Sequence, residues 1–485
     1  MELAFPVIGW RVITPMLLVT GTGFACLLLD LLPPKERKGH VAAVGLLGLA
    51  LAGLATGLLW GQRETAFREM VALDEFALFF NLLFCVATGL VLLLSHGYIR
   101  RQGIEQGEYY ILVLFAALGM MLMAAGTDLL IIFLGLELMS LSLYVLAGFF
   151  RTRPASNESA MKYFLLGAFA TGFFLYGIAL IYGATGTTSL PRLAEALARA
   201  ELGRDPLLFA GLGLLLVGFG FKISSVPFHM WAPDVYEGAP TAITALIATG
   251  SKAAAFAALL RVLLGPMRGL QPDWLVLVWI LAALTMTLGN VVAIAQSNLK
   301  RMLAYSSIAH VGYMLIGVVV GTQLGAAAVL YYLAAYTFMT AGAFGVILLL
   351  ERRGAEAVQL GDYAGLAARH PLLALLLALF LLSLIGFPPT AGFVGKFYLF
   401  SAAIEAGYVG LAILAVLNAV IASYYYLRLI VYMYMREPEG EPVVAALTPA
   451  AGLGLAVAVW GTLHLGLAPG PLIGLAQGAV GPFLP

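Results

Sequence analysis

Apolar stretches of about 20 residues, the length that carries a helix across the hydrocarbon core of a bilayer, recur fourteen times along this 485-residue chain. They lie near 10–32, 40–60, 74–96, 109–126, 128–150, 160–184, 206–226, 240–264, 273–296, 302–321, 324–350, 371–404, 408–435 and 446–468. A chain built this way is an all-α polytopic membrane protein. Composition agrees: 62% of residues are hydrophobic and 11% charged, against roughly 25% charged in soluble domains. Spans four and five are joined only by Gly126-Thr127-Asp128, so they form a tight antiparallel pair. The apolar run from Ile13 to Leu32 follows no basic leader and is read as a first span, not a cleaved signal. The tail after Gly470 is left without an assignment.

Several function classes are excluded at this level. The formal net charge of +1 leaves no nucleic-acid footprint. Cys26 and Cys85 lie in apolar runs with no CxxC or Cys/His cluster, so neither an iron–sulfur centre nor a structural zinc is expected. No P-loop or GxGxxG stands between a strand and a helix. Loops after odd-numbered spans hold Lys35, Arg37, Lys38, Arg100, Arg101, Arg151, Arg153, Lys300, Arg301, Arg352, Arg353, Arg369 and Arg436. The opposite side holds Arg11, Arg63, Arg68, Arg192, Arg199, Arg204, Arg261 and Arg268. Basic residues collect on the cytoplasmic side, so both termini are expected outside.

Two spans read as broken. Span seven contains Gly220-Phe-Lys-Ile-Ser-Ser-Val-Pro-Phe-His-Met230, and span twelve contains Ser383-Leu-Ile-Gly-Phe-Pro-Pro-Thr-Ala-Gly-Phe-Val-Gly-Lys396. Proline within a helix removes a backbone bond and clashes with the preceding turn, and backbone freed at membrane depth survives only beside protein or water. The spans after the breaks echo each other, with Leu260-Arg-Val-Leu-Leu264 against Leu427-Arg-Leu-Ile-Val431. The pattern predicts two five-helix repeats of inverted topology, as in many transporters. The segments are then 1–108 (three helices), 109–266 (spans four to eight), 267–436 (spans nine to thirteen) and 437–485 (span fourteen and tail).

Ionisable residues inside these spans are the functional signal, because a basic group at mid-bilayer costs roughly 2.5–3.5 kcal/mol even on insertion scales. Lys162, Lys222, Lys252 and Lys396 lie within spans six, seven, eight and twelve, and Glu137 within span five. Glu137 is nine residues past Asp128, about 14 Å along a helix; Ser140 and Ser142 beside it offer a purely structural alternative. Lys222 adjoins the break in span seven, where loosened backbone admits water; snorkelling is its bland alternative. Lys252 is too central to snorkel. Lys162 is nearer a span end, where structural and functional roles weigh equally. A buried carboxylate and ammonium at about 4 Å attract by about 4 kcal/mol at an effective dielectric near 20, so moving Glu137 against Lys222 can load or release a proton. Lys252 is placed to accept it, Lys396 to release it, and His310 in span ten to link them. His229 beside Pro227 is read as structural. Tyr305, Tyr313, Tyr336 and Tyr424 to Tyr426 are packing residues or supports for water wires.

The stretch Phe221-Lys-Ile-Ser-Ser-Val-Pro-Phe-His-Met-Trp-Ala-Pro-Asp-Val-Tyr-Glu-Gly-Ala-Pro-Thr241 resembles the signature of antiporter-like subunits of respiratory complex I. Ser297-Asn-Leu-Lys-Arg-Met-Leu-Ala-Tyr-Ser-Ser-Ile-Ala-His-Val-Gly-Tyr313 resembles their second signature. Glu158-Ser-Ala-Met-Lys-Tyr-Phe-Leu-Leu-Gly-Ala-Phe169 and Ala248-Thr-Gly-Ser-Lys-Ala-Ala-Ala-Phe256 are most similar to the subunit N group of bacterial NADH-quinone oxidoreductase. The resemblance covers nearly the whole chain. It implies a fourteen-helix proton channel whose key positions fall on Glu137, Lys222, Lys252 and Lys396. It also implies partners among the other membrane and peripheral subunits of complex I, in a bacterial cytoplasmic (inner) membrane. FMN, iron–sulfur clusters and quinone would then sit on those partners, with no redox centre, cofactor or metal on this chain. Two readings stand beside it: a subunit of a multisubunit cation/proton antiporter, and a structural membrane subunit without a proton path of its own.

Overall fold

The computed structural model describes residues 9–32, 38–198, 205–352, 355–438, 443–481 and 484. Lys35, Arg37, Arg199, Arg204 and Arg353 of the charge pattern lie outside the described residues. Among the described residues, 13 helices are long and apolar enough to cross a membrane. They run Trp10–Asp30, Gly39–Leu58, Glu75–Arg101, Gly107–Ala125, Leu129–Ala147, Pro154–Thr185, Pro206–Ile223, Thr241–Leu264, Pro266–Ile294, Leu299–Val320, Gln323–Ile347, Val409–Met435 and Pro449–Leu467. The remaining expected span, the twelfth, is delivered as two 15-residue helices, Pro371–Ile385 and Ala391–Glu405, each too short to cross alone. Span seven likewise stops at Ile223 and resumes as Trp231–Gly238. The tail left open by the sequence is a further helix, Gly470–Val480.

Local chemistry sets the boundaries. Asp74, Asp128, Asp205, Asn298 and Thr322 each accept a first-turn N–H at the start of a span, satisfying donors that a helix cannot pair internally. Proline opens spans six, seven and fourteen and the first half of span twelve, where its missing N–H costs nothing. Span six starts at Pro154, six residues ahead of its apolar window, because Ser156, Asn157 and Glu158 extend the helix in polar form beyond the hydrophobic stretch.

Glycine brings the helices into close contact. A Cβ on Gly119 of span four would stand 2.5 Å from the Met139 backbone N of span five, and one on Gly289 of span nine 2.6 Å from the Ala309 N of span ten. Small residues of this kind let membrane helices approach backbone to backbone. Arg261 of span eight donates to the Ala124 carbonyl at the end of span four, and pairs with Asp74 through Nη1–Oδ2 at 2.8 Å and Nη2–Oδ1 at 2.9 Å. Burial pushes the Asp74 carboxyl up, but the Arg261 guanidinium outweighs it and holds the group below its ordinary range. Arg428 of span thirteen donates to the Ile294 and Gln296 carbonyls at the end of span nine, at 2.9 and 2.6 Å.

Span eight forms the centre: every residue from Thr241 to Leu264 is buried. Spans one, two, six, thirteen and fourteen turn large apolar side chains outward, among them Phe24, Leu54, Phe169, Val420 and Trp460. Outside the helices, β1 (Glu64–Ala66) pairs antiparallel with β2 (Val71–Leu73). On the basic side, β3 (Leu350–Arg352) lies between β4 (Ala355–Glu356) and β5 (Val444–Ala445).

Candidate functional site

Lys222 occupies the last turn of the first half of span seven. That half ends at Ser224, whose φ of +66° places it in the left-handed region. The Lys222 side chain is buried, and Nζ donates to the Ser140 hydroxyl at 2.7 Å and the Tyr163 hydroxyl at 3.4 Å. The ammonium also lies 5.2 Å from the Tyr163 ring centroid and 5.7 Å from that of Tyr144, within reach of the negative faces of both. Glu137 stands one turn ahead of Ser140 on span five. Glu137 and Lys222 form no ion pair within 4 Å among the described residues; instead Ser140 holds the lysine, and Glu137 Oε1 is buried without a protein hydrogen-bond partner. A small cavity lined by Leu136, Tyr144, Thr171 and Lys222 adjoins the pair.

Lys252 lies just past a feature that the sequence did not announce. Span eight runs as α-helix from Thr241 to Leu246, opens into a π-turn from Ile247 to Ser251, and resumes as α-helix at Lys252. Such turns insert a residue into the helix and re-aim the side chains of the next turn. Lys252 Nζ meets the Ser307 hydroxyl of span ten. Ser307 is in turn 3.2 Å from the Tyr236 hydroxyl, whose ring centroid lies 5.7 Å from the ammonium.

His310 sits one turn beyond Ser307, buried among tyrosines. Its Nδ1 is 2.6 Å from the Tyr332 hydroxyl and its Nε2 3.2 Å from that of Tyr426, which also meets Ser306. Tyr425 donates to Asn290 Oδ1 at 3.0 Å, and Asn290 Nδ2 donates to the Tyr313 hydroxyl at 3.0 Å. Lys396, in the second half of span twelve, reaches back across the break. It donates to the carbonyls of Leu384 at 3.0 Å and Ile385 at 2.8 Å, the last turn of the first half. There a cation satisfies orphan carbonyls and meets the negative end of the helix dipole. Its Nζ lies 4.9 Å from the Tyr313 ring centroid.

Lys162 stands apart from this row. Its side chain is 40% exposed, and it pairs with Glu158 at 2.7 Å and Asp234 at 2.6 Å. Asp234 and Glu237 also bind Arg301, at 2.6 and 2.9 Å. Near the end of span six, where the sequence weighed structural and functional roles equally, Lys162 stands two turns past Pro154 in a partly exposed, ion-paired cluster. His229 is half-buried in the turn between the two halves of span seven.

Lys222, Lys252 and Lys396 thus share one chemical setting. None has a carboxylate partner within 4 Å among the described residues; each is held by hydroxyls or carbonyls. A serine or tyrosine hydroxyl accepts from an ammonium and equally from the N–H of a neutral amine. Lys222 and Lys252 therefore keep a hydrogen bond in either protonation state. Ser307, Tyr163, Tyr332 and Asn290, which complete this setting, were not separable in sequence from other small and aromatic residues of membrane helices.

Residues 126–422 match the family described as NADH:quinone oxidoreductase/Mrp antiporter, TM. The chain is 51% identical over 476 residues to NADH-quinone oxidoreductase subunit N of Trichlorobacter lovleyi, covering 98% of each. It superposes with a TM-score of 0.80 and 39% identity on a chain of respiratory complex I from Thermus thermophilus, covering 96% of this chain and 99% of that one. A chain of the Mrp complex from Dietzia shares the fold, with a TM-score of 0.84 at 22% identity and 98% coverage of both. The chain belongs to the NADH:quinone oxidoreductase/Mrp antiporter transmembrane family and, within it, to the subunit N group.

Proposed function

We propose that this chain is a proton-translocating membrane subunit of a bacterial NADH-quinone oxidoreductase, resident in the cytoplasmic membrane. Electron transfer through FMN, iron–sulfur clusters and quinone on partner subunits drives it. The observation that carries this reading is the row of three buried lysines, each held by neutral acceptors. A buried cation without a paired anion is expensive, so each lysine is poised to release its proton when its surroundings change.

In this path Glu137 approaches or leaves Lys222 as the coupled element. With the carboxylate near, the ammonium is favoured; with it withdrawn, desolvation favours the amine. The released proton passes to Lys252, and through the Ser307, Tyr426 and His310 group toward Lys396, which lies beyond the second break. Spans four to eight and nine to thirteen act as inverted repeats, each closed by an arginine (Arg261, Arg428) at the end of its first helix.

Lys252→Ala and Lys396→Ala are expected each to lower NADH-driven proton pumping while the complex still assembles. The check is the proton-to-electron ratio of the purified complex in vesicles. Normal ratios in both variants would remove the path.

A further inference from the structure

Glu356, at the end of β4 on the basic side, is a carboxylate that neither the charge pattern nor the lysine row singles out. Its side chain is only 9% exposed. One oxygen accepts from the Tyr98 hydroxyl of span three. The other accepts from the Thr241 hydroxyl at 3.0 Å and pairs with Lys300 at 3.4 Å. Thr241 also donates its backbone N–H to the Tyr98 hydroxyl at 3.1 Å, and Lys300 donates to the Ala239 carbonyl at 2.7 Å. One carboxylate therefore joins the end of span three, the first turn of span eight, the first turn of span ten and the sheet after span eleven. Spans eight and ten carry Lys252 and the Ser307 that holds it.

We propose that Glu356 is a positioning residue for proton transfer to Lys252: at the basic-side start of spans eight and ten it holds the counter-charge of Lys300 and keeps that lysine from competing for the proton. The inference rests on the lysine path proposed above. Lys300 is buried in the first turn of span ten, the helix whose Ser307 holds Lys252. Without its counter-charge, buried Lys300 holds its proton less firmly and competes with Lys252 as an acceptor. Burial pushes the Glu356 carboxyl up, but Lys300, Tyr98 and Thr241 together hold it below its ordinary range, so it is anionic at neutral pH. Arg153 is the other cation whose charge reaches it.

The test is a charge cycle in the intact complex, with NADH-driven pumping compared at equal amounts of assembled enzyme. Glu356→Gln is expected to lower pumping severalfold, Glu356→Asp to restore part of it, and Glu356→Gln with Lys300→Met to restore most of it. A merely structural role predicts the opposite for the double variant, which then loses two anchors and falls below either single change. Normal pumping in Glu356→Gln, or a double variant no better than Glu356→Gln, overturns the inference. If Glu356→Gln does not assemble, the double variant decides: assembly with pumping supports the inference and failure overturns it. Lys252→Ala in parallel separates the two layers. If it pumps normally the path itself falls; if it fails while Glu356→Gln pumps normally, only the role of Glu356 falls.

Discussion

Ser140 bears on how the proposed Glu137–Lys222 switch would be built. It stands three residues past Glu137 on span five, accepts from Lys222 at 2.7 Å and donates to the Leu136 carbonyl. The described state has the lysine docked on a neutral hydroxyl, with the carboxylate nearby and its Oε1 unpartnered by protein. Pairing with Glu137 is then the alternative state, reached by a small rotation of one side chain or one helix. On this account Glu137→Gln and Lys222→Ala each lower pumping by on the order of tenfold, the effect of about 1.4 kcal/mol. Glu137→Asp is milder because it keeps the charge and shortens the reach. The double variant is less than additive, since contacting groups couple by about 0.5–3 kcal/mol. Additive losses across the cycle, at matched assembly, would show that the two act independently. Glu137 and Lys222 were legible in the sequence because depth can be counted along a helix from its polar ends. Ser140 as the present acceptor was not, because a serine in a membrane helix commonly satisfies itself on the preceding turn.

At the level of elements, two backbone irregularities place the lysines, and only one kind has a sequence signature. Proline marked both broken spans, and the helices stop within a few residues of the expected points. The π-turn at Ile247–Ser251 had none, because Ala-Thr-Gly-Ser reads as ordinary small-residue packing and the inserted residue arises from contacts with neighbouring helices. The glycine contacts divide in the same way. The fold decides which glycines lie at crossings: a Cβ on Gly289 meets the Ala309 backbone, whereas one on Gly172 meets nothing within 4 Å. Gly289→Val is therefore expected to destabilise the pairing of spans nine and ten by at least about 1–3 kcal/mol, the usual range for overpacking. The amount of chain recovered in assembled complex should drop accordingly. Gly172→Ala, on the outward face of span six, should leave that amount unchanged. Equal recovery of both variants would remove the close-contact account.

At the level of the whole molecule, counting the split twelfth span as one crossing sets the start of span one and the end of span fourteen on one side and the segment between spans eleven and twelve on the other. The bias of Lys and Arg assigns the 351–370 segment to the cytoplasm. Single cysteines introduced near residue 362 and in the tail are expected to report opposite sides. The tail should be labelled by an impermeant reagent in intact cells, the loop only after permeabilisation. Cys26 and Cys85 are both buried and unbridged, so the native background is low. Labelling of the loop in intact cells would invert the orientation and, with it, the direction assigned to the lysine row.

Taken alone, the sequence determined the class of fold and where its long apolar helices lie, and it singled out Glu137, Lys222, Lys252, Lys396 and His310 as ionisable groups within them. All of these come from one-dimensional quantities: run length, proline position and the rise per residue of a helix. The tertiary structure alone decided which groups face one another. It put hydroxyls rather than carboxylates on Lys222 and Lys252, turned Lys396 onto the carbonyls that end the helix Pro371–Ile385, and set Lys162 between Glu158 and Asp234. It also gathered Glu356, Tyr98, Thr241 and Lys300 from four distant stretches of chain. Helix rotation and crossing set those contacts, and both come from packing between spans far apart in sequence, which no local pattern encodes.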